Sequence, residues 1–338
     1  MTWWLGATVA ALLAASPGAP AFRVYVSNEV SDDVSVVEGD AVVARIPVGK
    51  RPRGMHISPD GTRLYVAVSG SPRAGPGQDE SRLGPPDRAA DGIAVVDLVK
   101  QTVTGRLPGG PDPEAFDLTP DGGKLFVSNE DTATVSVLDV AAAKILGTVA
   151  VGGEPEGVTV RPDGRVVYVT TEEANEVFVI DAASFTVLRR IATAPRPRAV
   201  VFSADGRRAF VSCEQGAAVV VIDAALHRPL RRVRIQGSGV KPMGLARSPD
   251  GSRVYVTTGR GGSVAVLDAT TGNVLRTFTG VGARPWGIGI SPDGKLLYTA
   301  NGPSNDVSVI DASSGKVVQR IRSGSSPWGV VVAPAANR

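Results

Sequence analysis

The sequence predicts an all-β protein, a seven-bladed β-propeller with four antiparallel strands in each blade. Three recurring features predict it. An Asp-Gly turn returns at Asp60-Gly61, Asp121-Gly122, Asp163-Gly164, Asp205-Gly206, Asp250-Gly251 and Asp293-Gly294. A large aromatic residue returns at Tyr25, Tyr65, Phe126, Tyr168, Phe210, Tyr255 and Tyr298. An acid closes the following strand at Glu38, Asp97, Asp139, Asp181, Asp223, Asp268 and Asp311. From aromatic to acid is 13 residues in six repeats and 32 in the second, which therefore carries an insertion of 19. Four short strands cannot bury both faces of a sheet alone, so units of this length must stack on copies of themselves.

The stretch from Arg284 to Asp311 shows why each repeat reads as strands. Gly287–Ser291 is a short apolar strand and Pro292-Asp293-Gly294 a tight turn. Proline presets φ at the first corner, Asp bonds back to its own backbone, and Gly takes the left-handed position. Leu296–Ala300 is a second strand, Asn301–Asp306 a loop, Val307–Ile310 a third strand and Val317–Ile321 a fourth. Dense Gly and Pro punctuation and period-2 patterning exclude a helical solenoid. The repeat starts inside a unit, at Val24-Tyr25-Val26, and stops after a first strand, Trp328 to Ala333. The closing blade is therefore expected to join the C-terminal strand to three N-terminal strands.

Composition agrees with one globular domain, residues 22–338. Of 338 residues, 43% are hydrophobic, with 40 Gly and 25 Pro, which suits a turn-rich β fold. A net charge of +3 does not by itself imply a nucleic-acid partner. The single cysteine, Cys213, excludes an intramolecular disulfide and a CxxCH haem attachment. Residues 1–21 read differently. Leu5 to Ala15 is an apolar run of signal-peptide length and Ala19-Pro20-Ala21 offers small residues for cleavage before Phe22, although no Lys or Arg precedes the run. The expectation is export to a periplasm or the exterior, with no membrane insertion after cleavage and only Trp286 and Trp328 retained.

Function is expected at one face. Propeller strands alternate direction outward from the axis, so the fourth-to-first and second-to-third connections open together. The fourth-to-first loops read Arg51-Pro-Arg53, Asp112-Pro-Glu114, Glu154-Pro-Glu156, Arg196-Pro-Arg198, Lys241-Pro-Met243, Arg284-Pro-Trp286 and Ser326-Pro-Trp328. The small residue after each (Gly54, Ala115, Gly157, Ala199, Gly244, Gly287, Gly329) lets the inner strands crowd the axis. Two adjacent blades form an acidic sector, Asp112, Glu114, Glu154 and Glu156, extended by Glu172 and Glu173 and by Glu130, Asp131 and Glu176. The remaining mouth is basic, with Arg51, Arg53, Arg196, Arg198, Lys241 and Arg284, and carries Trp286 and Trp328. A solvated rim of charge is the ordinary explanation of such residues; segregation by blade points instead to a polarised mouth that focuses a charged ligand. The insertion, Gly70 to Gly92, lies on the same face and reads equally as a disordered flap or a lid.

Catalytic motifs are sparse. His56 lies on an inner strand and His227 in a turn, and neither has a partner at metal-ligand spacing. No Ser/His/Asp set is suggested by position. Gly280-Val-Gly282 fails the dinucleotide pattern because Pro285 stands where the third glycine belongs. The outer-strand arginines Arg189, Arg190, Arg231, Arg232 and Arg234 read more simply as guards of exposed sheet edges than as a nucleic-acid patch.

Tyr25-Val26-Ser27-Asn28, Phe126-Val127-Ser128-Asn129 and Tyr298-Thr299-Ala300-Asn301 resemble the YVTN repeat of seven-bladed propellers, from Phe22 to about Ala333. The insertion with its following strand (GPGQDESRLGPPDRAADGIAVVDL), GGEPEGVTVRPDGRVVYVT and ANGPSNDVSV resemble more closely the exported propellers associated with PQQ-dependent catabolism. Glu38, Ala204 and Arg247 depart from the repeat without disturbing the fold. The tryptophan-docking repeats of the quinoprotein dehydrogenases are not present, so the resemblance does not imply a PQQ enzyme.

Three functional expectations follow. The first is a non-catalytic binding or accessory protein of a PQQ-dependent oxidation system, with a dehydrogenase or transport component as partner. PQQ, a planar tricarboxylate, would suit the mouth cations with its ring on Trp286 and Trp328. The second is a lactonase, an activity of related seven-bladed propellers, with Glu114, Glu156 and Glu173 as base or metal holders. The third is a protein-interaction platform. A monomer is expected, and a nucleic-acid partner is not.

Overall fold

The computed structural model describes residues 22–73 and 83–334. The expected leader, residues 1–21, and residues 74–82 of the insertion lie outside the described residues. The chain forms seven four-stranded antiparallel sheets, the predicted seven-bladed propeller. Blade 1 spans Phe22–Pro47 plus the C-terminal strand Pro327–Pro334, and blades 2 to 7 follow in order, beginning at Met55, Pro113, Pro155, Pro197, Leu245 and Pro285. Blade 7 consists of Pro285–Ile290, Leu296–Asn301, Asp306–Asp311 and Val317–Arg322, with a single 3-10 turn at Gly302–Ser304 in the expected loop.

Local chemistry makes each turn. In blade 7 the Asp293 carboxylate accepts the Lys295 N–H at 3.1 Å and the Ser291 hydroxyl at 2.6 Å, while Ser291 Oγ accepts the Leu296 N–H at 2.9 Å. Gly294 takes φ of 73°, where a side chain would be strained. The closing acid works similarly: Asp311 accepts the Ser314 N–H at 2.6 Å and Asp97 the Lys100 N–H at 2.8 Å. Glu38 departs from this and pairs with Arg23 at 2.5 Å instead.

The core lies between blades, which is why single repeats cannot fold. Tyr168, Val177 and Val179 of blade 4 pack on Val200, Phe202 and Val211 of blade 5. Tyr25, Phe126, Tyr168 and Phe210 are at most 1% exposed, and burying each such side chain stabilises by about 1.5–3 kcal/mol. Closure follows the expected joint: Val24 pairs with Val332 and Val26 with Val330. On the outer strands, Arg190 lies 4.8 Å over the Phe178 ring, Arg231 donates to Asn273 of the next blade at 3.0 Å, and Arg232 donates to the Gly216 carbonyl at 2.8 Å. Among the described residues no helix is long and apolar enough to cross a membrane.

Candidate functional site

The mouth loops share an unusual backbone. The residue before the proline sits in the left-handed region in six blades: Arg51, Asp112, Glu154, Arg196, Arg284 and Ser326, with φ of 45, 50, 49, 58, 51 and 56°. Such residues cost about 1–2 kcal/mol each unless something holds them. In four blades a side chain from the preceding blade does so by accepting their N–H. Asp32 Oδ1 caps Arg51 at 3.0 Å, Asp91 Oδ2 caps Asp112 at 3.2 Å, Asn175 Oδ1 caps Arg196 at 2.8 Å and Asn305 Oδ1 caps Ser326 at 2.8 Å. The equivalent positions facing Glu154, Lys241 and Arg284 hold Ala133, Ala217 and Gly262, which cannot cap. Lys241 escapes the problem by donating its N–H to the Thr258 carbonyl at 2.9 Å.

The acids and bases of the mouth are brought together rather than held in separate sectors. Arg53, 3% exposed, bonds Asp112 at 2.5 Å and Glu130 at 3.2 Å and also pairs with Glu114. Arg198 pairs with Glu156 and Glu172 and bonds Glu214 at 3.0 Å. Arg196 pairs with Glu172 and approaches Glu214 at 3.4 Å, and Arg51 approaches Glu29 at 3.4 Å. Two buried nests result, each an arginine surrounded by three carboxyls. Burial, reinforced by Glu156, Glu130 and Asp112, holds the Glu114 carboxyl well above the ordinary range despite Arg53. Burial and the neighbouring Glu156 likewise raise Glu172 despite Arg198 and Arg196. In each nest the surroundings thus favour the protonated form of one carboxyl.

The other wall is aromatic and cationic. Trp286 and Trp328 lie with ring centroids 6.1 Å apart and planes inclined by 35°. The Arg284 guanidinium stands 4.9 Å from the Trp286 centroid and that of Arg198 5.2 Å. Arg284 pairs with no carboxylate among the described residues. Burial depresses its pKa, and Arg260, Arg198 and Arg73 depress it further against the pull of Glu214. Among the described residues this positive charge is therefore not neutralised by an ion pair.

Between the walls is a cavity of about 1260 Å³. Of the expected ligand residues, Arg51, Arg53, Arg196, Arg198, Arg284, Trp286 and Trp328 line it, and Lys241 does not. Of the expected acidic sector, Asp112, Glu114, Glu154, Glu156 and Glu173 line it, and Glu172 lies buried behind. The described ends of the insertion join the rim, where Arg88 bonds Asp131 at 2.5 Å and Asp87 bonds Lys50 at 2.8 Å. Sequence reasoning missed Glu29, Glu214 and Arg260. A signal existed for two of them: a glutamate directly follows the second strand at Glu29, Glu130, Glu172 and Glu214.

The histidines stand apart from this cavity. His56 Nε2 lies 2.9 Å from Asp117 Oδ1, and Asp117 Oδ2 accepts the Val160 N–H at 2.8 Å, tying three adjacent inner strands. Burial opposes charge on His56, but Asp117 and the Ile57 carbonyl outweigh it and raise its pKa. His227 bonds the Tyr168 hydroxyl at 2.8 Å. Among the described residues, no group of three or more His, Cys, Asp or Glu is placed to hold a metal ion.

Comparison with known proteins places this geometry. Residues 160–338 match the model described as YNCE-like beta-propeller, and residues 22–194 match that of the choice-of-anchor I domain. Among curated proteins no sequence matches. Many solved structures share the fold. The Pseudomonas aeruginosa periplasmic gluconolactonase PpgL is 22% identical with a TM-score of 0.76, covering 93% of this chain and 99% of its own. Kuenenia stuttgartiensis hydrazine synthase is 22% identical with a TM-score of 0.67, covering 84% of this chain and 96% of its own. A functionally unknown protein from Desulfotomaculum acetoxidans is 17% identical with a TM-score of 0.77, covering 93% and 99%.

Proposed function

The chain belongs to the YNCE-like β-propeller family, and on that premise we propose that it is a binding protein whose mouth takes an anionic small molecule with a flat ring. The observation that carries this reading is the Trp286–Trp328 pair beside Arg284, which pairs with no carboxylate among the described residues. A ring stacks on indole, and a carboxylate or phosphate supplies a counter-charge to Arg284. Arg51, Arg53, Arg196 and Arg198 are engaged by carboxylates and shape the wall instead of gripping the ligand. PQQ is the occupant to test first, because the repeat sequences resemble the propellers associated with PQQ-dependent catabolism. The protein then acts in a periplasm or outside the cell, handing a cofactor to a dehydrogenase or transport component.

Calorimetric titration of PQQ into the full chain tests this. Saturable binding that weakens at least tenfold in both Trp286→Ala and Arg284→Ala is expected. Absence of saturable heat with the unaltered protein removes PQQ as the ligand.

A second reading, a lactonase, is favoured by the nearly whole-length likeness to the P. aeruginosa gluconolactonase. Glu114, Glu156 and Glu173 at the cavity wall would then serve as acid and base. Hydrolysis of a sugar-lactone panel, with and without added Ca²⁺, decides it; no turnover on any member sinks it.

A further inference from the structure

We propose that the backbone N–H and the guanidinium of Arg284 together form a notch for a ligand carboxylate, kept open because Gly262 lacks the side chain that caps the equivalent amide in other blades. The inference rests on the binding reading above and names the group of the ligand that the mouth recognises.

The ring repeats the same mouth geometry from blade to blade. Left-handed residues precede the mouth prolines in six blades, and in four of them a carboxylate or amide oxygen lies 2.8–3.2 Å from the N–H. The protein therefore demonstrates four times what belongs at this position: an oxygen acceptor from a planar Asx group. At Arg284 the site is the same, with φ of 51°, but no oxygen accepts the N–H among the described residues. Gly262 stands where Asp32, Asn175 and Asn305 stand in other blades and keeps their left-handed conformation, with φ of 59° against 60, 56 and 55°. The backbone is unchanged and only the acceptor is missing.

Glu154 is the other uncapped left-handed residue, and its surroundings show the contrast. It faces Ala133, and Glu156 and Glu173 share its cavity wall, which repels an anion. Arg284 has the opposite setting, with its own guanidinium unpaired by any carboxylate among the described residues and Arg260 on the same cavity wall. One carboxylate oxygen can take the N–H and the other the guanidinium, both as charge-assisted bonds. A ring attached to that carboxylate then lies against Trp286 and Trp328. The ligand class is a carboxylic acid borne on a flat ring, and neutral analogues are discriminated against because the amide and guanidinium would be left without a partner.

The probes are quinoline-2-carboxylate and the neutral quinoline-2-carboxamide, titrated into the full chain. The carboxylate is expected to bind at least tenfold more tightly. Gly262→Asn rebuilds the internal cap and should erase that preference in a protein that still folds, since the new cap offsets the strain of a conformation that Asn already occupies at Asn175 and Asn305. A Cβ there would lie 3.2 Å from the Gly282 carbonyl, a contact relieved by a shift of a few tenths of an ångström. Arg284→Gln, which keeps the N–H and removes the charge, is the second variant and should reduce the preference several-fold. Equal binding of the two probes, no saturable carboxylate binding, or an undiminished preference in a folded Gly262→Asn or Arg284→Gln protein overturns the notch. If quinoline-2-carboxylate binds as expected and PQQ does not, the notch stands and the PQQ reading falls. If PQQ binds and the probe preference is absent, the reverse holds.

Discussion

Asn175 Oδ1 accepts the backbone N–H of Arg196 at 2.8 Å across the boundary between blades 4 and 5. The same bond joins Asn305 to Ser326 at 2.8 Å and so helps to fasten blade 7 to the closing blade. Asn305→Ala keeps the Cβ, removes this cap and is expected to cost about 1 kcal/mol. Asn305→Gly removes the cap but also relieves the strain of a Cβ in the left-handed region and should cost about 1 kcal/mol less. Urea denaturation separates the two variants; a pair indistinguishable from the unaltered protein would show that the caps do not stabilise the ring.

Arg198 is the shared partner of Glu156, Glu172 and Glu214. Arg198→Met leaves those carboxyls buried without their cation and should destabilise by about 3–5 kcal/mol at neutral pH. Part of the loss should return at pH 5, where carboxylates take up protons. Lys50→Met, which breaks an exposed pair with Asp87, should change stability little. Denaturation midpoints of both variants at the two pH values check this, and an equally small effect of Arg198→Met would refute it.

Glu172 offers a test in the alkaline direction. Burial and Glu156 raise its folded pKa above the ordinary value of 4.5. Between the two values the folded state holds a proton that the unfolded state has released, so stability falls as pH rises above 4.5. Glu172→Gln cannot titrate. Its stability relative to the unaltered protein should therefore improve steadily from pH 5 to pH 9. A constant difference across that range would mean that Glu172 is ionised in the fold.

The inner strands crowd as the small residues after each proline suggested. A Cβ on Gly244 would lie 2.6 Å from the Trp286 carbonyl, and one on Gly54 would lie 2.8 Å from the Glu114 carbonyl. Gly244→Ala should cost about 1–3 kcal/mol because backbone of the neighbouring blade must move. Gly105→Ala is the control, since nothing lies within 4 Å of its added methyl. Equal midpoints for the two variants would argue that the axis has slack.

Much of the fold was legible because its determinants are short-range and repeated. Asp293 closes its turn on Lys295 and Ser291, and Asp311 closes its own on Ser314. Each of these bonds spans only a few residues, so spacing along the chain reports them. Blade closure was legible too, because a strand at each end lacked its neighbours and only one pairing, Val24 with Val332, completes both. The mouth residues were legible as a set, since proline marks them in every repeat.

Their pairing was not legible. Read along the chain, Arg53 belongs to a basic loop and Asp112 to an acidic one; in the ring they are 2.5 Å apart. Chain-local chemistry settles the turns, the strand count, the closing joint and most of the loops that line the mouth. Which charges cancel, which amides are capped and that Arg284 has no ion-pair partner among the described residues emerge only once the blades are stacked. The reason is physical: turn chemistry is settled within a few bonds, whereas charge pairing depends on ångström-scale distances between side chains that only the stacked blades bring together.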